Sequence, residues 1–332
     1  MIAKMESHPA HSGVSSGISP ALLDDHGRIM RKLRVSLTDA CNYRCFYCME
    51  ENPVFTAPSK LLSPEEIENI CRELVSLGLE EIRITGGEPT LRPEFMEIVQ
   101  RLSALPVKTL AVTTNGHHLE KLLPQLKTTN LTKINISVDS LDEGKFHTIT
   151  RGGDLRKVLS SLFKARDMGF EIKLNAIIFR GINDEEVVDF ARFSADENIE
   201  VRFLEYMKIG PGITDFDTRF VPAREMRARL EAAYGSLIPV SAPRDSTSKI
   251  YSTSQGARIG IIASESEPFC SDCSRLRLSA TGTLRPCIMM NTGVSLRNVA
   301  HEDFPAIVSK VVSWKPEGRL PEIAQGMYQI GG

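Results

Sequence analysis

Residues 171–206 read EIKLNAIIFRGINDEEVVDFARFSADENIEVRFLEY, two strand-like runs (171–178 and 199–206) around a helical run near 184–196. Strands that alternate with helices build a parallel sheet wrapped by helices. The same rhythm extends backwards. LRVSL (33–37), EIRIT (81–85), TLAVTT (109–114) and KINISVD (133–139) read as strands, with helices expected near 93–105, 118–127 and 154–168. The helix after the first strand is marked by SPEEIENICRELVSLG: Ser63 as N-cap, Pro64 at the first position, Glu66 completing a capping box and Gly78 as the stop. Ile67, Ile70, Cys71 and Leu74 fall on one face, so Cys71 is expected in the core. Six such units, with no dinucleotide glycine fingerprint after the first strand, fit an α/β fold of the partial, TIM-like βα-barrel type. Its chemistry belongs at the C-terminal strand ends.

After Gly210 the alternation stops. A helix at 222–234 is followed by strand-like runs at 237–240, 249–254, 258–263 and 275–279, and Thr281-Gly282 suits a hairpin turn. The expected organisation is a mobile arm over 1–28, a barrel over 29–210, and a smaller C-terminal α+β region over 211–332 that covers the barrel's open side. The arm is rich in Ser, Pro, Gly and His and lacks an apolar secretory core.

The chain has 332 residues, 42% apolar, with 40 Lys and Arg against 42 Asp and Glu. That balance argues against a broad nucleic-acid surface, and no apolar run is long enough for a membrane span. The seven cysteines read as thiols of a reducing, cytoplasmic setting. Six fall into two triplets. Cys41, Cys45 and Cys48 are spaced C-x3-C-x2-C, and Cys270, Cys273 and Cys287 are spaced C-x2-C-x13-C. A structural zinc site wants four ligands. Two incomplete sets suggest iron–sulfur clusters, each with one iron open to an exogenous ligand. The competing reading is a zinc-stabilised interaction protein that pools its thiols.

CNYRCFYC followed by ITGGEP resembles the radical S-adenosylmethionine superfamily. FCSDCSRLRL and GTLRPC, with TTNG, RFLEYM and the final GG, narrow the resemblance to its GTP 3′,8-cyclase (molybdenum cofactor biosynthesis protein A) family. The resemblance implies a [4Fe–4S] cluster at each triplet. It gives S-adenosylmethionine as the fourth ligand of the first, cleaved there to methionine and a 5′-deoxyadenosyl radical. No side chain is then the catalyst. The implied reaction is the first step of molybdenum cofactor biosynthesis: the radical takes the ribose 3′ hydrogen of GTP, and C3′ joins C8 to give (8S)-3′,8-cyclo-7,8-dihydroguanosine 5′-triphosphate. A peptide-modifying maturase of the same superfamily is the enzyme alternative.

Carried over residue by residue, the resemblance assigns Tyr47, Gly87 (with Gly86), Ser137 and Met207 to S-adenosylmethionine. It assigns Arg34, Arg83, Thr113, Lys173, Arg275, Leu276 and Arg277 to GTP, with Arg202 a weaker candidate. Arg275 and Arg277 are two apart in a strand-like run and share a face. Arg34, Arg83 and Lys173 sit in otherwise apolar strands, where a charge needs a partner. Glu80 and Glu81 stand where some relatives carry basic residues, which bears on the triphosphate contact. His117 and His118 read as helix-start or surface residues. The Gly331-Gly332 tail is expected to thread toward the site. Expected partners are GTP, a small electron-donor protein such as flavodoxin, and cyclic pyranopterin monophosphate synthase downstream. A homodimer is common in relatives.

Overall fold

A computed structural model describes residues 19–243 and 245–331. The six expected strands are present: β1 (Lys32–Ser36), β2 (Glu81–Thr85), β3 (Thr109–Thr114), β4 (Leu131–Ser137), β5 (Glu171–Ile178) and β6 (Glu200–Glu205). They pair in sequence order, all parallel. Between them run α1 (Pro64–Ser76), α2 (Phe95–Ser103), α3 (Leu119–Leu126), α4 (Glu143–Thr150), α5 (Leu155–Asp167) and α6 (Val187–Glu197). The α1 capping box forms as its sequence dictates. Ser63 N donates to Glu66 Oε2 (2.7 Å) and Glu66 N to Ser63 Oγ (3.1 Å). Cys71 is fully buried on its inner face.

Alternation along each strand separates the two faces. In β5, Ile172, Leu174, Ala176 and Ile178 are buried in the main core, whereas Glu171, Lys173 and Asn175 line an interior cavity. On β5 the outward face is therefore apolar, and polar side chains turn into the barrel.

The C-terminal segment enters the same sheet. It contributes α7 (Gly212–Arg219), α8 (Ala223–Tyr234), β7 (Ile238–Val240), β8 (Lys249–Ser252), β9 (Arg258–Ile262), β10 (Arg275–Leu278), β11 (Thr283–Arg285), β12 (Val294–Ser295), α9 (Phe304–Ser313) and α10 (Met327–Ile330). β9 pairs parallel with β6, and β10 pairs parallel with β1. The six-strand barrel is thus widened to eight parallel strands, one added at each edge, with antiparallel strands outside them. The hairpin between β10 and β11 turns at Gly282, whose φ of 93° suits glycine.

The arm expected through residue 28 is packed from Ser19 onward. Ser19 N donates to Leu77 O and Met30 N to Leu22 O, and Leu22 and Met30 are fully buried. An apolar anchor and a buried Asp24–Arg28 pair (2.6 Å) hold this stretch; the rest of the expected arm lies outside the described residues. No described helix is long and apolar enough to cross a membrane.

Candidate active site

A cavity of about 630 Å³ fills the barrel. One wall carries a row of guanidinium groups fixed by strand register: Arg277 of β10 lies beside Arg34 of β1, which lies beside Arg83 of β2. Among the described residues none of the three pairs with a carboxylate. Arg83 Nη1 is buried without a hydrogen-bond partner. Arg277 Nη1 donates to the carbonyl of Gly331. Burial pushes Arg83 and Arg277 down to about 10, and burial and the neighbouring arginines push Arg34 well down. On the opposite wall Lys173 reaches Glu171 (3.3 Å) and Glu200 (3.4 Å), and Arg202 Nε donates to Glu200 (2.7 Å). Thr113 also lines the cavity.

Cys41, Cys45 and Cys48 project into one end from the loop that follows β1. Asp39 secures that loop by accepting from Thr56 N (2.9 Å) and Thr56 Oγ1 (2.6 Å). The Gly86-Gly87 turn presses against it. Gly87 N donates to Thr38 O (2.6 Å) and Glu88 N to Ala40 O (2.8 Å). A Cβ on Gly86 would stand 2.7 Å from Thr38 O, and one on Gly87 would collide with the carbonyls of Asp39 and Ala40. The glycines are thus required by the cysteine loop itself. The Gly87 amide is already used, which leaves its carbonyl as the backbone group free to meet a ligand. Tyr47 donates to Asp139 Oδ2 (2.8 Å), and Ser137 and Met207 line the same end. Burial drives all three thiols up, Cys41 to about 11.

Cys270, Cys273 and Cys287 occupy the other end. Burial raises Cys270. At Cys273 the charges of Arg275 and Lys315 outweigh burial and hold the thiol at about 6. Among the described residues no three Cys, His, Asp or Glu side chains close on a single metal ion. A cubane asks for something different. Each thiolate holds a separate iron, so the sulfurs stand around a cluster rather than around one ion. Two sets of three thiols opening into one cavity fit two clusters with a free iron each.

Leu276 is the exception among the predicted residues. Its side chain is fully buried in the apolar core because strand alternation turns it away from Arg275 and Arg277. Any contact with a ligand falls to its backbone. Glu80 is bound by Arg31 and Lys108 (3.0 Å each), whereas Glu81 lines the cavity and lies 3.8 Å from Lys32. His118 caps α3, and His117 Nδ1 lies 3.0 Å from the Tyr43 hydroxyl. The tail reaches into the site: a Cβ on Gly331 would stand 2.9 Å from Ser36 Cβ and 3.2 Å from Thr85 Oγ1. Gly332 lies outside the described residues.

Sequence reasoning missed several residues. Glu88 accepts from Thr90, Thr114 (2.7 Å) and Asn115 N (2.7 Å), and so ties the ends of β2 and β3 together. Asp139, raised to about 6 by burial, orients Tyr47 and accepts from Ile177 N (2.9 Å). Arg28 donates to the carbonyl of Cys270, and Lys315 to those of Arg275 and Pro286, beside the second cysteine set. A carboxylate at a strand end was a readable signal for Asp139; the others depend on long-range contacts.

The chain matches the radical SAM superfamily over residues 35–194 and the Molybdenum Cofactor Synthesis C family over residues 199–319. It is 44% identical to a protein of Synechocystis sp. named GTP 3′,8-cyclase, over 95% of this chain and 96% of the relative. It is 39% identical to a protein of the same name from Listeria welshimeri, over 94% of this chain and 99% of the relative. Among solved structures, Streptococcus suis SuiB bound to S-adenosylmethionine superposes with a TM-score of 0.66 at 14% identity, covering 87% of this chain and 69% of that one. At that identity the likeness speaks to the fold.

Proposed function

The chain belongs to the GTP 3′,8-cyclase family of radical S-adenosylmethionine enzymes, and we propose that it converts GTP to (8S)-3′,8-cyclo-7,8-dihydroguanosine 5′-triphosphate. The observation that carries the substrate reading is the Arg277–Arg34–Arg83 row. Three guanidinium groups side by side, with no carboxylate among them, need an anion. A nucleoside triphosphate supplies one.

When bound, a [4Fe–4S] cluster at Cys41, Cys45 and Cys48 together with S-adenosylmethionine supplies the 5′-deoxyadenosyl radical. The protein's part is placement. The Gly87 carbonyl, Ser137, Met207 and the Tyr47 loop would seat the methionyl and adenosyl groups. A second cluster at Cys270, Cys273 and Cys287 would take the purine, with Arg275, Arg277 and the Leu276 backbone beside it. Arg34, Arg83, Thr113 and Lys173, with Arg202 behind them, would hold the triphosphate. C3′ then faces the radical source while C8 lies within reach of C3′, so two ends of one cavity turn a radical encounter into a positioned step.

In this reading residues 29–210 would form the radical and hold the triphosphate, and residues 211–332 would hold the second cluster, the purine and the tail. The two family matches divide between residues 194 and 199, before β6 and N-terminal to this proposed boundary. A small electron-donor protein would reduce the first cluster. The cyclised triphosphate would pass to cyclic pyranopterin monophosphate synthase in a cytoplasmic pathway, and a homodimer fits the reading. The test is an anaerobic incubation of the reconstituted protein with dithionite, S-adenosylmethionine and GTP, followed by mass spectrometry. The expected result is 5′-deoxyadenosine and a cyclised triphosphate in step. S-adenosylmethionine cleavage with GTP unchanged would overturn the substrate reading.

A further inference from the structure

Two buried cations outside the cysteine segments hold the second triplet together. Arg28, 7% exposed, donates Nε to Asp24 (2.6 Å), Nη1 to the carbonyl of Cys270 (2.7 Å) and Nη2 to the carbonyl of Pro316 (2.8 Å). Lys315, 3% exposed, donates Nζ to the carbonyls of Arg275 and Pro286 (2.7 Å each). Arg275 stands two residues after Cys273, and Pro286 immediately precedes Cys287. Every ligand of the set therefore lies within two residues of a carbonyl held by one of these cations. Arg28 also bonds the residue after Lys315, which joins the two cations into one frame.

The β10–β11 hairpin, with Arg277 opposite Arg285, brings Cys287 back toward Cys273, and Lys315 braces the open end of that hairpin by holding the carbonyls of Arg275 and Pro286 together. Bonds from a buried cation to carbonyl groups are charge-assisted. Lys315 also lies beside the thiols of Cys273 and Cys287, which carry negative charge once they hold iron, whereas the charge of Arg28 is matched by Asp24. Positive charge fixed near a cluster favours its more negative, reduced form.

We infer that Arg28 and Lys315 are positioning residues that preassemble the second cluster site and that Lys315 also raises its reduction potential, which makes residues 24–28 a working part of that site. This rests on the reading that Cys270, Cys273 and Cys287 hold a cluster.

The test uses full-length chain reconstituted anaerobically. In a background with Cys41, Cys45 and Cys48 changed to Ala, only the second cluster remains, and its potential is read by electron paramagnetic resonance in a redox titration. Lys315→Met should retain iron and move the potential negative, and Lys315→Arg should restore it in part. In the unaltered background, Arg28→Met should lower iron from about eight to about four per chain while dithionite-driven S-adenosylmethionine cleavage stays intact. An unchanged potential in Lys315→Met with unchanged iron in Arg28→Met overturns the proposal. So does equal loss of both clusters from Arg28→Met with a lowered Tm, since that marks a general structural role. Absence of iron from the parent background would instead overturn the second-cluster reading itself.

Discussion

At Cys41 burial and Glu88 push the thiol up to about 11, and burial drives Cys45 and Cys48 up as well. At Cys273, equally enclosed, Arg275 and Lys315 reverse the sign and hold the thiol at about 6. The N-terminal site is built from backbone. Glycines without side chains let the Gly86-Gly87 turn lie against the cysteine loop, and the thiolates receive little compensating charge from protein. The C-terminal site is built from cations. Arg275, Arg277 and Lys315 place positive charge where anionic sulfur and an anionic substrate are to sit. The contrast fits the proposed occupants: S-adenosylmethionine would bring its own positive sulfonium to the first end, whereas GTP would bring only negative charge to the second.

The sharpest way to break this comparison is to remove one end at a time. Cys41→Ala, Cys45→Ala or Cys48→Ala should abolish release of 5′-deoxyadenosine, because the radical source loses an anchor. Cys287→Ala should leave that release and eliminate the cyclised product. Product analysis by liquid chromatography separates the outcomes, and equal loss of both activities from Cys287→Ala would show that the ends are not separable.

A smaller effect is expected along the arginine row. Arg34→Ala or Arg277→Ala should each weaken GTP binding by about 1.5–3 kcal/mol, roughly ten- to hundredfold, with both clusters retained. Equilibrium dialysis reads it. Undiminished GTP affinity would leave the row without its anion.

The smallest effect concerns the metal-free chain. With pKa values near 6 and near 11, Cys273 should be largely thiolate at pH 7 and Cys41 almost wholly protonated. Iodoacetamide followed by peptide mass spectrometry should label Cys273 first, with a rate that climbs from pH 5 to 7 and then levels. Folding lowers this thiol's pKa from 9.0. Its contribution to stability is therefore full above that value and lost as pH falls through about 6. Labelling of Cys41 at the same rate at pH 7 would erase the contrast.

The barrel was legible because its signal is local. Period-two strands and a capped, period-3.6 helix such as α1 declare themselves within a dozen residues. Several features were not legible. β9 and β10 join opposite edges of the barrel through pairings with β6 and β1, and no short window carries a register between residues so distant in sequence. α4 follows β4 directly but has little apolar periodicity, so only the later α5 was expected. α9 had the spacing (Phe304, Val308, Val311 and Val312 are buried), but no element was assigned after residue 279 within the α+β region. At the site, the cysteines and strand arginines were readable as residue types out of place. Lys315 was not, because a Lys bound to backbone carbonyls leaves no partner in the sequence to notice, and Arg28 offers only a local pair with Asp24 that says nothing of its reach to Cys270.

The most direct test of one cavity with a radical source at one end and GTP at the other is to follow a single atom. GTP carrying deuterium at the ribose 3′ carbon would be turned over anaerobically with unlabelled S-adenosylmethionine, and the 5′-deoxyadenosine weighed by mass spectrometry. The structure predicts 5′-deoxyadenosine heavier by one deuterium, formed in step with the cyclised triphosphate. Unlabelled 5′-deoxyadenosine alongside normal product would mean that the 3′ hydrogen never meets the radical, and the placement argued from the two ends of the cavity would be contradicted.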